Sequence, residues 1–412
     1  MNILIINHYA GSPDMGMEFR PYYLAREWQK LGHKVLVVGG TYSHLRKKQP
    51  RTTGCQTVGG VDYLWIKTPE YHGNGVKRVL SMLFFTAKLW LRAGKIVRVF
   101  RPDAVIASST YPLDNYPSRR IARRSGGKYI YEIHDLWPLS PMELGGMSKR
   151  HPFIVMMQKA ENYAYNNCDA VVSILPKAKE HCVAHGLPEN RFFHVHNGIV
   201  EEDWNHPEPL PDEHKQIIGK LREEGRFLVG YIGGHAMSNA LDTLLDTAKI
   251  VPPNDIAFVL VGNGTEKQNL MQRVRNEHIE NVFFLPSIHK LAVPEFLMQM
   301  DVLYIGWKKN PLYRFGISPN KIFDYMMSGK PIVHSVDAGN DPVFEAGCGI
   351  SVTAENPHRV AEAIAKMQAM SEEERCKMGE NGRAYILKNH TYSVLANSFI
   401  EIIETLVKSN NT

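Results

Sequence analysis

The sequence predicts an α/β protein of two doubly wound, Rossmann-like domains in series, and three observations point there. A length of 412 residues with 44% apolar content is too much for one ordinary core and enough for two. Short apolar runs alternate with helix-like stretches, the rhythm of βαβ units and therefore of a parallel sheet with crossover helices. That rhythm lapses once, midway along the chain, and then restarts.

Taken in order, Ile3-Leu4-Ile5-Ile6 reads as a strand covered on both faces, followed by a helix over 20–31 and a strand over 34–38. Further buried strands are expected at 104–107, 129–132, 170–173 and 193–195. Between 77 and 100 a helical segment carries Phe84, Phe85, Leu89 and Trp90 on apolar positions, while Lys77, Lys88, Arg92, Lys95 and Arg98 share one broad face. Such a helix either lies on an anionic lipid surface or packs into the core with a solvated basic side. From 201 to 212 acid and proline density rises and no period survives, which reads as the linker. Strands resume at 227–232, 257–261, 282–285, 302–305 and 331–333. The closing helix, over about 392–407, has Leu395, Phe399, Ile402, Ile403 and Leu406 near helical spacing. The expected division is 1–204, 205–390 and a C-terminal helical segment 391–412.

Composition excludes several classes. Five cysteines, Cys55, Cys168, Cys182, Cys348 and Cys376, include no CxxC pair, so neither a disulfide framework nor a zinc knuckle is encoded, and a reducing cytoplasm is expected. The N-terminus runs into a strand without the basic region and cleavage site of a secretory signal. No apolar run reaches the roughly 18 residues of a spanning helix. A net charge of +6 favours an anionic partner without choosing among nucleic acid, lipid headgroups and nucleotide phosphates.

The chemistry concentrates in 318–331, SPNKIFDYMMSGKP. Ser318, Pro319 and Asn320 open a short helix, with Ser and Asn as N-cap residues and Pro suited to the first helical position. Its free backbone N–H groups, beside the Lys321 ammonium, suit an anion such as a diphosphate, and Asp324 one turn on can accept from a vicinal diol such as a ribose. Glycine loops follow three strands. The first, 7–21, holds Gly11 and Gly16 five apart and is not a dinucleotide fingerprint; it is either part of a substrate cleft or a plain connection. The second presents Gly233, Gly234 and His235, with Ser238 or Asn239 as a helix cap. The third, Gly262-Asn263-Gly264, precedes Lys267, which reads as an anion contact or a solvated surface lysine. His134 and Asp135 follow the 129–132 strand; the histidine can donate to a sugar hydroxyl with the aspartate as its partner, or simply satisfy a turn. Asn197-Gly198 fits a positive-φ turn that closes the first half.

SPNKxFDYM followed by GKP resembles the donor segment of retaining GT-B glycosyltransferases, in particular the family-4-like enzymes of bacterial surface polysaccharide (O-antigen or capsule) synthesis, and the likeness extends over nearly the whole chain. It implies the GT-B fold, two such domains facing each other across a cleft with the last helix packing back on the first. It further implies transfer of a hexose or N-acetylated amino sugar from a nucleotide diphosphate sugar, UDP rather than GDP, to a lipid-linked or polysaccharide acceptor. Nucleic acid has no part in this, no cofactor is needed, and in the absence of an Asp-x-Asp motif no metal is expected. The enzyme would be cytoplasmic, with 77–100 as a peripheral contact on the inner face of the membrane.

On the same resemblance Lys321, Lys267, His134 and Asp135 carry catalysis. Gly16, Gly233, Gly234, His235, Asn263, Ser318, Pro319 and Asn320 hold the donor, Leu285, Ser287 and Ile288 its base, Asp324 its ribose, and Arg20 adds an anion contact. Two departures stand out. The family's Arg or Lys in the second glycine loop is missing between Gly233 and Leu241, which shifts the burden to Lys267 and Lys321. The first of two glutamates eight positions apart falls on Gly316, with Asp324 at the second. An epimerase of the same architecture and a silent nucleotide-binding subunit are the alternatives.

Overall fold

The computed structural model describes residues 1–16 and 18–408; Met17 of the first glycine loop and residues 409–412 of the expected C-terminal segment lie outside it. The chain divides into two compact units, Met1–Asn197 joined by the chain from Tyr392 on, and Gly198–Thr391.

In the first unit the strands are β1 (Asn2–Ile6), β2 (Lys34–Gly40), β3 (Gly54–Val58), β4 (Val61–Ile66), β5 (Ala104–Ala107), β6 (Lys128–Ile133), β7 (Ala170–Ser173) and β8 (Phe192–His194). They form one sheet in the order β3-β4-β2-β1-β5-β6-β7-β8. All neighbours are parallel except β3 and β4. β1 runs down the middle, with Ile3 opposite Val35 on one side and Ala104 on the other, and Ile3 to Ile6 are all buried. The β3–β4 hairpin is absent from the sequence reading because β3 is short and alternately exposed. Its turn was nonetheless written as Gly59-Gly60, both at positive φ (55° and 81°), the pair that a two-residue hairpin requires. The helix Tyr392–Lys408 packs on the helix Arg20–Lys30: Trp28 Nε1 donates to the Ala396 carbonyl at 3.0 Å, and the Trp28 and Phe399 rings lie 5.3 Å apart.

The second unit has β9 (Phe227–Ile232), β10 (Ile256–Val261), β11 (Val282–Leu285), β12 (Val302–Gly306), β13 (Ile332–Ser335) and β14 (Gly349–Val352), all parallel, in the order β11-β10-β9-β12-β13-β14. The edge strand β14 is half-buried throughout and lacks the apolar run that marked the others. The 201–212 stretch is more ordered than its composition suggested. It forms a 3-10 turn at Glu201–Trp204 and is tied into this unit by Asp203 to Lys290 (2.7 Å) and by the Glu208 N–H to the Leu291 carbonyl (2.8 Å).

In both sheets the chain reverses direction of winding beside the central strand: β1 lies between β2 and β5, β9 between β10 and β12. Ligands of doubly wound sheets collect outside the carboxyl ends of strands at such a switch point.

Candidate functional site

At the carboxyl ends of β9 and β10 two loops interlock through glycine. A Cβ on Gly262 would lie 1.9 Å from the Gly233 carbonyl oxygen, and one on Gly264 would lie 2.4 Å from the His235 oxygen. The loops are joined by the His235 N–H to Asn263 O and the Glu266 N–H to His235 O, each 2.9 Å. Gly233 has φ +149°, and a Cβ there would stand 2.7 Å from Lys321 Nζ. Gly262, at φ +144°, meets both a steric and a conformational bar to any side chain. Gly262→Ala is therefore expected to destabilise the protein by about 1–3 kcal/mol and to weaken nucleotide binding along with it, measured by thermal denaturation and calorimetric titration.

Lys321 sits on the helix Asn320–Met327 and reaches back to these loops, donating to Tyr231 Oη at 2.9 Å and Asn239 Oδ1 at 3.3 Å, with Nζ 4.3 Å from the Tyr231 ring centre. Among the described residues it has no carboxylate partner, and burial pushes its pKa down to about 7. Lys267 donates to the carbonyls of Gly262 (2.7 Å) and Leu285 (2.9 Å); burial lowers its pKa, with Glu213 opposing. Between them His235 is fully buried, with neither ring nitrogen hydrogen-bonded. Burial first, then Lys267 and Lys321, depress its pKa to about 4. Two cations and a neutral imidazole thus converge with no carboxylate at ion-pair distance among the described residues, at a real cost to folding, in the electrostatic pattern of an anion site.

The helix start differs from expectation in one respect. Pro319 occupies the cap position, offering no side-chain acceptor, and Asn320 is the first helical residue. Ser318 is buried beneath it. Asp324 is raised to about 6 by burial; the charges acting on it are those of Lys290 and Asp203, and it has no side-chain hydrogen bond among the described residues. It therefore faces the loop that follows β11 rather than the Lys321 cluster. In that loop Leu285 is buried, Ser287 exposed and Ile288 packed on the core. Gly316, at the position where the resemblance places a glutamate, has φ +93°, and the neighbouring Ile317 backbone is pinned by both ends of the Asn340 amide (2.7 and 3.1 Å). Asn263 and Gly234 are exposed at the loop surface.

In the first unit, the ends of β1, β5 and β6 gather a different cluster. Glu132 accepts from Ser108 Oγ at 2.6 Å, pairs with His134 Nε2 at 3.2 Å, and takes Arg20 Nε at 2.9 Å. Burial alone would raise the Glu132 carboxyl; Arg20 and His134 overcome it and hold the group well below the usual carboxylate range. Burial opposes the charged imidazole of His134, but Glu132, with Glu18 4.0 Å from Nδ1, raises its pKa. His134 therefore retains its proton more firmly than a free histidine.

Two expectations are corrected here. The partner of His134, which directly follows β6, is Glu132 two residues earlier in that strand, and not Asp135. Asp135 turns the other way, accepting from Leu136 N (2.9 Å), Trp137 Nε1 (3.3 Å) and Ser140 Oγ (2.7 Å). Arg20 is no anion contact either: it is buried, and its guanidinium is spent on Glu132 and on the Val195 and His196 carbonyls. Gly16, at φ +108°, lies in this unit, where a Cβ would come 2.9 Å from Lys47 N, so packing alone requires glycine there. Glu132 escaped the sequence reading because it stands inside an otherwise apolar strand; its spacing of two from His134 was the available signal.

Comparison with known proteins matches these two parts to two family models, Glycosyltransferase Family 4 over residues 15–203 and Glycosyl transferases group 1 over residues 226–369. The putative colanic acid biosynthesis glycosyl transferase WcaI of Escherichia coli is 24% identical over 361 residues, covering 84% of this chain and 81% of that protein. Among solved structures, HepE of Anabaena in complex with UDP and glucose superposes with a TM-score of 0.66 at 15% identity, over 98% of this chain and 100% of the other. WaaG, a glycosyltransferase involved in lipopolysaccharide biosynthesis, does so with a TM-score of 0.65 at 14% identity, over 97% and 99%.

Proposed function

The chain belongs to the GT-B glycosyltransferases of the family 4 and group 1 type that act in surface polysaccharide synthesis, and we propose that it moves a hexose or N-acetylated amino sugar from a UDP-sugar to a lipid-linked or polysaccharide acceptor with retention of configuration. The observation that carries this reading is the cluster of Lys321, Lys267 and His235 beside the Gly233-Gly234 loop, in which neither lysine is ion-paired among the described residues.

In the proposed reaction the bond between the anomeric carbon and the donor phosphate breaks on the face that the acceptor enters. Lys321, Lys267 and the uncapped helix start at Ser318 to Asn320 offset the charge appearing on the diphosphate, and the acceptor hydroxyl loses its proton to that leaving group. Stabilising charge that develops in the transition state is usually the largest catalytic contribution. His235, its ring nitrogens free, donates one N–H to a phosphate oxygen. Leu285, Ser287 and Ile288 receive the base and Asp324 the ribose hydroxyls. His134, held as a donor by Glu132, contacts a sugar hydroxyl, with Asp135 shaping the adjoining turn.

Support for a lipid-linked acceptor comes from the first unit. A cavity of about 650 Å³ there is lined by apolar side chains including Val79, Met82, Leu144 and Phe153, together with Arg78 and Asp135. The helix Val76–Phe100 buries Met82, Phe85, Leu89 and Ile96, while Leu80, Leu83, Phe84 and Leu91 are exposed among Lys77, Arg92, Lys95 and Arg98. No helix among the described residues is long and apolar enough to cross a membrane. The enzyme would work from the cytoplasmic face, this helix resting on anionic lipid. Leu83→Glu with Phe84→Glu should abolish co-sedimentation with phosphatidylglycerol vesicles and leave transfer to a soluble acceptor analogue intact.

Binding of UDP should draw a proton. A diphosphate beside Lys321 raises a pKa that starts near 7, so near pH 7.5 uptake of a large fraction of one proton is expected, read by titration calorimetry in buffers of different ionisation enthalpy. The reading as a whole is tested by incubating the protein with UDP-sugars and a lipid-diphosphate saccharide: release of UDP must depend on acceptor, and the product anomer, followed by NMR, must match the donor's. Consumption of donor to an isomer without an acceptor would overturn it.

A further inference from the structure

The first unit holds a second cluster that the transfer chemistry leaves unused, where the helices Pro152–Asn167 and Lys179–Ala184 meet. His181 and His185 stand four residues apart, so one helical turn stacks them, and their ring centres are 4.3 Å apart. Glu161 projects toward them from the other helix, its side chain 1% exposed. One ligand atom from each of Glu161, His181 and His185 falls within 4.8 Å of the others.

The surroundings already orient these atoms. His185 Nδ1 lies 2.8 Å from the His181 carbonyl oxygen; a carbonyl only accepts, so Nδ1 carries the proton and Nε2 keeps its lone pair. Tyr165 Oη donates to Glu161 Oε1 at 3.0 Å and Gln158 Nε2 to Oε2 at 2.7 Å, fixing the carboxylate as outer partners fix a metal ligand. Among the described residues Glu161 pairs with no Lys or Arg. Among the described residues the basic group that reaches it is His181 Nε2, 3.0 Å from Oε1. A buried carboxylate in that position lacks a full counter-charge.

We infer that Glu161, His181 and His185 form a binding site for a divalent transition-metal ion, with zinc the best match. Two imidazoles and one carboxylate are the donor set of a borderline ion with a position left open, whereas calcium and magnesium take oxygen ligands throughout. The ion takes the place of the proton between His181 Nε2 and Glu161, and that proton moves to Nδ1 of the same ring, leaving a neutral imidazole ligand. Bound, it clasps the two helices that flank β7 and stabilises the native chain in proportion to the free ion concentration. The cluster shares no residue with the His134 and Glu132 group.

The test uses the full chain, stripped with EDTA, dialysed and titrated with zinc chloride in a calorimeter; cobalt(II) gives a second readout through its visible absorption. Expected are one tight equivalent and a higher melting temperature. His185→Gln, at a half-buried position that should still fold, is expected to lower zinc affinity at least tenfold, with circular dichroism confirming the fold. His289→Gln, at an exposed site elsewhere, should change nothing. Absence of a tight equivalent in the native chain, or its retention in folded His185→Gln, overturns the inference.

Discussion

Lys321→Met is expected to lower kcat by about 10²- to 10³-fold, the usual effect of deleting one preorganised group that stabilises developing negative charge, while the melting temperature stays level or rises. The second half of that expectation separates a functional lysine from a structural one. The ammonium is partly buried, has two neutral oxygens for partners and no carboxylate, and is pushed down to about 7 by burial alone. Its folded pKa lies below the ordinary value of about 10.4, so between about pH 7 and 10 the unfolded chain binds more protons and this group makes stability rise with pH. Below pH 7 the native state carries the charge at a cost. Methionine keeps the length and removes that cost, so its benefit in denaturant midpoint should be larger at pH 6 than at pH 9. Steady-state kinetics with saturating acceptor, beside chemical denaturation at both pH values, checks the pair. Normal turnover in the folded variant would reject the assignment.

Arg20→Met is expected to destabilise the first unit by about 3–5 kcal/mol, the range for removing one partner of a buried ion pair, or roughly 10 °C for a unit of this size. Arg20 and Glu132 are 3% and 2% exposed and 2.9 Å apart, and the same guanidinium ties down the Val195 and His196 carbonyls. The pH signature follows from Glu132. Its folded carboxyl is held well below the normal range, so it contributes stability that is complete above about pH 5 and is lost as pH falls below about 4 toward the folded value. The native protein should therefore show a steep acid limb and Arg20→Met a shallow one. Arg20→Met combined with Glu132→Gln should recover part of the loss, because no uncompensated charge remains. Additive single effects would mean that the pair is not coupled.

How much of this was legible depended on burial. Strands covered on both faces, such as Ile3 to Ile6 or 257–261, announce themselves as apolar runs because no other residues tolerate the position. β3 and β14, half-exposed at sheet edges, carry no such run. The Lys321 cluster could be anticipated as a candidate for a chemical reason: a proline-led helix start and a lysine next to glycine loops have few purely structural uses together. Asp135 and Arg20 were misassigned because residue type alone cannot say where a side chain is spent. An arginine one helix away from β6 can meet a phosphate or a buried glutamate, and only the packing decides.

By itself, then, the chain's order of apolar runs, glycine turns and one helix-opening motif determined two doubly wound sheets and the strand ends at which glycine loops gather, since local periodicity and backbone permissiveness are properties of consecutive residues. Tertiary structure alone decided that His134 pairs with Glu132, that His235 is left with bare ring nitrogens between two lysines, and that Glu161 meets His181 and His185. Those outcomes turn on desolvation and on which neighbours each side chain meets, and both exist only once each unit has folded around them.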